Sequence, residues 1–155
     1  MLGSSNPVAG PYFNFTIPEP TGVVGIIAPS EPALLGSVSR IAPVVVSGNV
    51  AIAVASERSP LPAVSLAEAL ATSDIPGGVI NILTGSPSEL VPWLAAHMDV
   101  NAIDLTGCPD ELVADAERAA ADNVKRVHRA GPAEQHLSEI TAFVEFKTVW
   151  HPMGA

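Results

Sequence analysis

Thiols are almost missing from this chain. Cys108 is the sole cysteine in 155 residues, so an intrachain disulfide cannot form and a zinc site built on several thiolates is excluded. Basic residues are scarce too. Seven Lys and Arg against sixteen Asp and Glu leave a net charge of −9, which repels polyphosphate backbones and argues against nucleic acid as a partner. Long hydrophobic runs are absent: Val44 to Val46 and Ala51 to Ala55 are cut by Gly, Asn or charge well short of a membrane-spanning helix. No membrane partner is expected. Residues 1–7 carry neither a basic patch nor an apolar run, so they do not read as a signal peptide and the expected compartment is the cytoplasm. Without secretion the sequon Asn14-Phe-Thr16 is a chance match. His97, His128, His136 and His151 show no paired ligand spacing, and no metal is assigned. Internal repeats and low-complexity tracts are also lacking.

What is present is a chain with 48% hydrophobic and only 15% charged residues, enough apolar side chain for one folded domain with a real core. Its β-branched runs alternate with helical patterns. Val23 to Ala28, Val50 to Val54, Val79 to Leu83, Ala102 to Leu105 and Val124 to Val127 read as strands buried on both faces. Pro32 to Ser47 reads as a helix that must bend or break at Pro43 and stops near Gly48. Ser59-Pro60 opens a second helix with Ala63, Leu66, Ala67 and Leu70 on one stripe. Ser86 to Glu89 has the capping-box form, opening a third over Leu90, Val91 and Leu94, and a fourth starts around Pro109 with Leu112, Val113, Ala116 and Ala120 inward. This β-α alternation specifies an α/β fold: a Rossmann-like, doubly wound parallel sheet of about five strands with helices on both faces. The basic run Lys125 to Arg129 reads as a solvated strand edge or ion-pair cluster. Residues 130–140 form a connector with at most a helical turn. In Phe143 to Trp150 the even positions Val144, Phe146 and Trp150, with Thr148 among them, share one apolar face of a half-buried strand, while Glu145 and Lys147 point the other way.

Four blocks in order carry a family resemblance: Gly22 to Pro29, Ala42 to Asn49, Ser56-Glu57 with Ser59 to Leu61, and Ile75 to Gly85. They resemble segments of the cofactor domain of aldehyde dehydrogenases, written there as Ala-Pro-Ala-Leu-Ala-Ala-Gly-Asn, Lys-Pro-Ser-Glu and Leu-Pro-Pro-Gly-Val-Val-Asn-Val-Val-Thr-Gly. Leu105-Thr-Gly107 is similar to the family's Phe-Thr-Gly, and Phe143 to Trp150 to its last strand, which crosses to a neighbouring subunit. The resemblance divides the chain into an N-terminal arm (1–19), a cofactor-type domain (20–129), the connector (130–140) and a C-terminal oligomerisation strand (141–155). It jumps over the family's catalytic domain, which carries the cysteine nucleophile.

The resemblance also marks what the chemistry would lack. Glu31 stands in register with the family Asn that helps to hold the oxyanion, and a carboxylate there opposes developing negative charge. Cys108 matches a Ser at a helix start rather than the nucleophile, and reads as a small buried residue. Ala130 falls where the family has its general base. No catalytic residue is therefore assigned, and the isolated chain is expected to be inactive. The cofactor contacts that the resemblance leaves are Ile27, Ala28, Pro29, Glu57, Gly107 and Cys108. Val54 replaces the family's ribose-binding Lys, Pro109 deletes an N–H, Asp110 and Glu111 put carboxylates on the helix N-terminus, and Leu112 replaces a Gly. No cofactor is expected, or NAD(P) held only weakly.

Two roles follow. One is a non-catalytic subunit that joins a full-length aldehyde dehydrogenase, or itself, through Val144, Phe146, Thr148 and Trp150, with Tyr12 to Ile17 supplying the other half of the bridging surface. Its structural alternative is that Phe143 to Trp150 folds back onto this chain's own sheet. The other role is an NAD(P)-binding module of an aldehyde oxidoreductase that works with a catalytic partner.

Overall fold

A computed structural model describes residues 3–131 and 136–154. In chain order the elements are β1 (Ser4–Asn6), β2 (Tyr12–Pro20), β3 (Val23–Ile27), α1 (Ala33–Val46), β4 (Val50–Val54), α2 (Leu61–Ala71), β5 (Ile80–Leu83), α3 (Pro87–Ala96), β6 (Ala102–Asp104), α4 (Asp110–Ala121), β7 (Arg126–His128), α5 (Ser138–Thr141) and β8 (Val144–Pro152). Five strands make a parallel sheet in the order β5-β4-β3-β6-β7, as the alternating pattern requires. Helices α3 and α4 cover one face around Ile27, Val91, Leu94, Ile103 and Val113. Helix α1 covers the other, around Val24, Ile26, Ile41 and Val44, with the C-terminal Phe143 completing that core.

Local chemistry explains where the elements depart from the sequence pattern. Helix α1 contains Pro43 yet continues as one helix to Val46. Pro43 lies in its last turns, where the missing N–H costs a single bond, and its own carbonyl accepts the Ser47 hydroxyl at 2.7 Å. The capping box expected at Ser86 does not form: its hydroxyl pairs with Ser88 at 2.9 Å, and α3 begins without a side-chain cap. The last parallel strand starts later than Val124, because Val124 adopts φ 58° and is 89% exposed. A β-branched residue in that region is strained and ends a turn rather than opening a strand. As edge strands, β5 and β7 are only partly covered rather than buried on both faces. On α2 only Ala63 is fully buried, while Leu66, Ala67 and Leu70 are half-buried.

The second sheet is built from the two ends of the chain. Its order is β1-β2-β8, all antiparallel. Strand β8 pairs with β2 along its whole length, from Tyr12 opposite Pro152 to Pro20 opposite Val144. Thus the C-terminal strand stands apart from the parallel sheet, but it folds back onto this chain's own N-terminal strand. The expected half-burial is corrected as well: beyond Glu145 every residue of β8 is exposed, with Phe146 at 56% and Trp150 at 60%. Alternation places side chains on two faces, but burial needs a second layer, and only the root of β8 reaches the body, next to α5.

Of the connector, residues 132–135 lie outside the described residues, and α5 supplies the helical turn. Among the described residues no helix is long and apolar enough to cross a membrane.

Candidate functional site

The parallel sheet reverses its winding between β3 and β6, so the loops that follow these strands lie side by side at their carboxyl ends, where open α/β sheets place ligands. Ile27 ends β3, Ala28 and Pro29 come from the first loop, Gly107 and Cys108 from the second, and the structure brings these five together. The Gly107 N–H donates to the Ile27 carbonyl at 2.9 Å, and Ala28 N–H to the Val54 carbonyl at 3.0 Å. A side chain on Gly107 would sit 2.2 Å from the Ala28 carbonyl carbon. The corner is closed backbone against backbone.

Glu57 is exposed in the loop after β4, at the same end of the sheet, with no hydrogen bond to the corner among the described residues. Glu31 is exposed in the β3–α1 loop, at a cis bond to Pro32.

The donor set at this corner suits pyrophosphate poorly. Cys108 N–H is taken by the Leu105 carbonyl at 3.0 Å, Pro109 has no N–H, and the first turn of α4 carries Asp110 and Glu111. Those carboxylates complement the helix dipole themselves and repel a second anion. Arg129 lies 3.3 Å from Asp110, so the nearest cation is already paired. Cys108 is 7% exposed within the α3–α4 core. Burial pushes its thiol up, outweighing the Arg129 charge, with Glu111 and Asp110 adding to the rise, so it is a poor nucleophile where it stands. Two hollows open elsewhere on the molecule. One lies between α1 and α2 around Val38, Val45, Leu66 and Leu70, the other near Pro18, Ile140 and Val144. Among the described residues no cluster of three or more His, Cys, Asp or Glu could hold a metal ion.

A second constellation went unread in the sequence. Arg40 of α1 lies 3.7 Å from Asp104 of β6 and 2.5 Å from Glu139 of α5, while His128 of β7 lies 3.2 Å from Glu139. Asp104 is wholly buried, its Oδ1 accepting from the Thr106 N–H at 2.9 Å and from the Thr106 hydroxyl, its Oδ2 without a hydrogen bond. Burial raises the Asp104 carboxyl above its usual range, and the Thr106 bonds with the His128 and Arg40 charges only partly offset it. Burial also acts to raise Glu139, but bonds and charge from Arg40 and His128 outweigh it and hold that carboxyl low. The signal was a lone acid in the otherwise apolar strand Ala102 to Leu105.

This cluster fastens the C-terminal segment to the sheet. The His128 ring meets the Phe143 ring edge-on at 5.3 Å, and Arg126 donates to the carbonyls of Ala142 at 3.0 Å and Val144 at 2.8 Å. Asn49, buried after α1, donates to the Phe143 carbonyl at 2.9 Å and accepts from the Gly22 N–H at 2.7 Å. The basic run is accordingly a strand edge with ion pairs. Lys125 turns inward instead, to the His97 carbonyl at 2.6 Å. Of the expected contact residues on the last strand, only Val144 belongs to this root. Phe146, Thr148 and Trp150 are carried out into solvent, with Thr148 bonded to Thr16 at 2.9 Å.

Comparison with known proteins agrees with this architecture. The profile of the aldehyde dehydrogenase family matches residues 1–137, a span that stops short of β8. Cytosolic aldehyde dehydrogenase 1 of Elephantulus edwardii is 34% identical over 125 residues, covering 81% of this chain and 25% of that protein. A putative aldehyde dehydrogenase from Burkholderia cenocepacia superposes with a TM-score of 0.78 at 31% identity, over 83% of this chain and 26% of that one. The NAD+ complex of an aldehyde dehydrogenase from Bacillus cereus does so at 0.77 and 27% identity, over 82% of this chain and 26% of that one. The chain thus spans about a quarter of the length of these relatives. With a matching profile over most of its residues and the same parallel-sheet fold, the chain belongs to the aldehyde dehydrogenase family.

Proposed function

We propose that this chain is a non-catalytic member of its family, an assembly subunit that joins a full-length aldehyde dehydrogenase or further copies of itself through the sheet of β2 and β8. The observation that carries the reading is the nine-residue strand β8, rooted by Phe143, Asn49 and Arg126 yet exposed beyond Glu145 with Phe146 and Trp150 uncovered. An apolar edge of that length calls for a partner. The chemistry supports the same reading. Glu31 in place of the oxyanion donor, Ala130 in place of the base and a buried Cys108 with a raised pKa leave no route for thiohemiacetal formation.

The test is direct. Purified chain given NAD or NADP with short aliphatic aldehydes should yield no reduced cofactor, and added full-length aldehyde dehydrogenase should shift its native mass. Turnover by the chain alone would overturn the reading.

A second reading, an NAD(P)-binding module of an aldehyde oxidoreductase working with a catalytic partner, draws on the exposed Glu57 and on the NAD+ held by the Bacillus cereus relative. Calorimetric titration separates the two: low-micromolar NAD or NADP affinity favours the module, and millimolar or absent binding favours the assembly subunit.

A further inference from the structure

Beyond Val144, whose carbonyl takes Arg126, the outer edge of β8 has no partner strand among the described residues, since the antiparallel sheet runs β1-β2-β8 and ends there. An antiparallel partner strand related by a two-fold axis normal to the sheet must place even residues opposite even and odd opposite odd, so that like faces meet. Three registers centre the overlap on this strand. An axis at Lys147 sets Lys147 against its own copy, and an axis at Val149 sets Lys147 against His151. The first brings two cationic side chains together, which opposes pairing, and the second leaves Phe146 facing Pro152 and Trp150 facing Thr148. An axis at Thr148 avoids both faults. It places Phe146 opposite Trp150 of the second copy, Glu145 opposite His151, and Lys147 opposite Val149, each contact made twice. The two Lys147 side chains then come only diagonally near, and each is already paired with Glu19 of its own β2. On the even face Tyr12, edge-on to Trp150 at 6.0 Å, extends the aromatic cluster.

We propose that the partner of this edge is a second copy of this chain, joined through β8 in the register centred on Thr148 to make one continuous six-stranded sheet. The inference rests on the assembly reading above and specifies its occupant. Self-complementarity of charge and of aromatic position selects one register, and the strand is rooted firmly enough to present it.

Sedimentation of the full chain at micromolar concentration should give twice the 15.9 kDa chain mass. His151→Glu, which sets two carboxylates opposite each other, should weaken the dimer about tenfold or more. Glu145→Lys should weaken it too, although Glu145 also lies 3.8 Å from Arg126 of its own chain. The double variant sets a Lys opposite a Glu and should recover the dimer, which a misfolded protein would not do. Register is read by oxidation. Directly opposed residues have Cα atoms about 4.5–5.5 Å apart, within disulfide reach, so Thr148→Cys should cross-link into a dimer while Lys147→Cys should not. Cys108 is buried and gives little background.

A monomer at these concentrations, or cross-linking through Lys147→Cys in preference to Thr148→Cys, overturns the proposal. A monomer that still binds purified full-length aldehyde dehydrogenase overturns self-pairing while the assembly reading survives. Aldehyde turnover by the chain would sink the non-catalytic reading without touching the dimer measurement.

Discussion

Glu139 and Asp104 touch the same guanidinium yet titrate in opposite senses. Arg40 and His128 hold Glu139 below its ordinary value of 4.5 against the effect of burial, so its contribution to stability is fully present above 4.5 and fades as the pH falls through the lower folded value. Burial raises Asp104 above 3.8, so folding is favoured while it is protonated, and that advantage is lost as the pH rises from 3.8 through the raised folded value. Around neutral pH the first acid supports the fold and the second opposes it. Glu139→Gln should therefore cost roughly 2 kcal/mol at pH 7, as loss of a charged hydrogen bond does, and much less near pH 3. Urea denaturation at both pH values measures this, and an equal loss at the two would refute the clasp assigned to Glu139. The cluster was invisible in the sequence because its members are spread from residue 40 to residue 139, and only folding makes them neighbours.

Contacts between elements depend on a few residues with no room for change. Gly107→Ala would drive a methyl into the backbone of Ala28 and Pro29, and backbone cannot step aside as a side chain can. A loss of about 3 kcal/mol or more is expected in thermal or urea unfolding, of the order seen for forced overpacking. Gly25→Ala is the control. Its added carbon meets only side chains, at 3.6 to 3.8 Å, so its effect should stay within about 1 kcal/mol. Asn49→Ala removes the link between the Gly22 N–H and the Phe143 carbonyl and should cost about 2–3 kcal/mol, because buried partners are left unsatisfied. If β8 is rooted as described, hydrogen exchange in residues 143–152 should accelerate in that variant more than in β4. An unchanged pattern would mean that β2 alone holds the strand.

At this scale the sequence was legible in part. The strands β3 and β4 were clear because β-branched runs buried on both faces have few alternatives, and β6 was marked by a shorter apolar run. Edges were harder, as Val124 illustrates: its residue type favours a strand, but the turn before β7 forces it to φ 58°. The closed corner at Gly107 could be suspected from Pro109, Asp110 and Leu112. That the Gly107 and Cys108 amides were already engaged could not.

For the whole molecule, the distribution of apolar surface matters more than its amount. The body buries its core between α1 on one side and α3 with α4 on the other, whereas the sheet of β1, β2 and β8 leaves Tyr12, Phe13, Phe146 and Trp150 exposed. If association covers that sheet, the melting temperature should rise with protein concentration, as it does for any state stabilised by a partner. His151→Glu should move the dependence to about tenfold higher concentration or beyond. A melting temperature independent of concentration in the parent chain would argue that the sheet stays uncovered.

The sequence by itself determined the parallel α/β core and the family to which it belongs, because periodic burial and short motifs are local properties that each segment carries with it. Tertiary structure alone decided that the last strand returns to pair with Tyr12–Pro20, that Asp104 shares Arg40 with Glu139, and that β8 ends with an open edge. Those outcomes depend on which distant segments meet, and a pattern of alternating residues specifies two faces without specifying what, if anything, covers them.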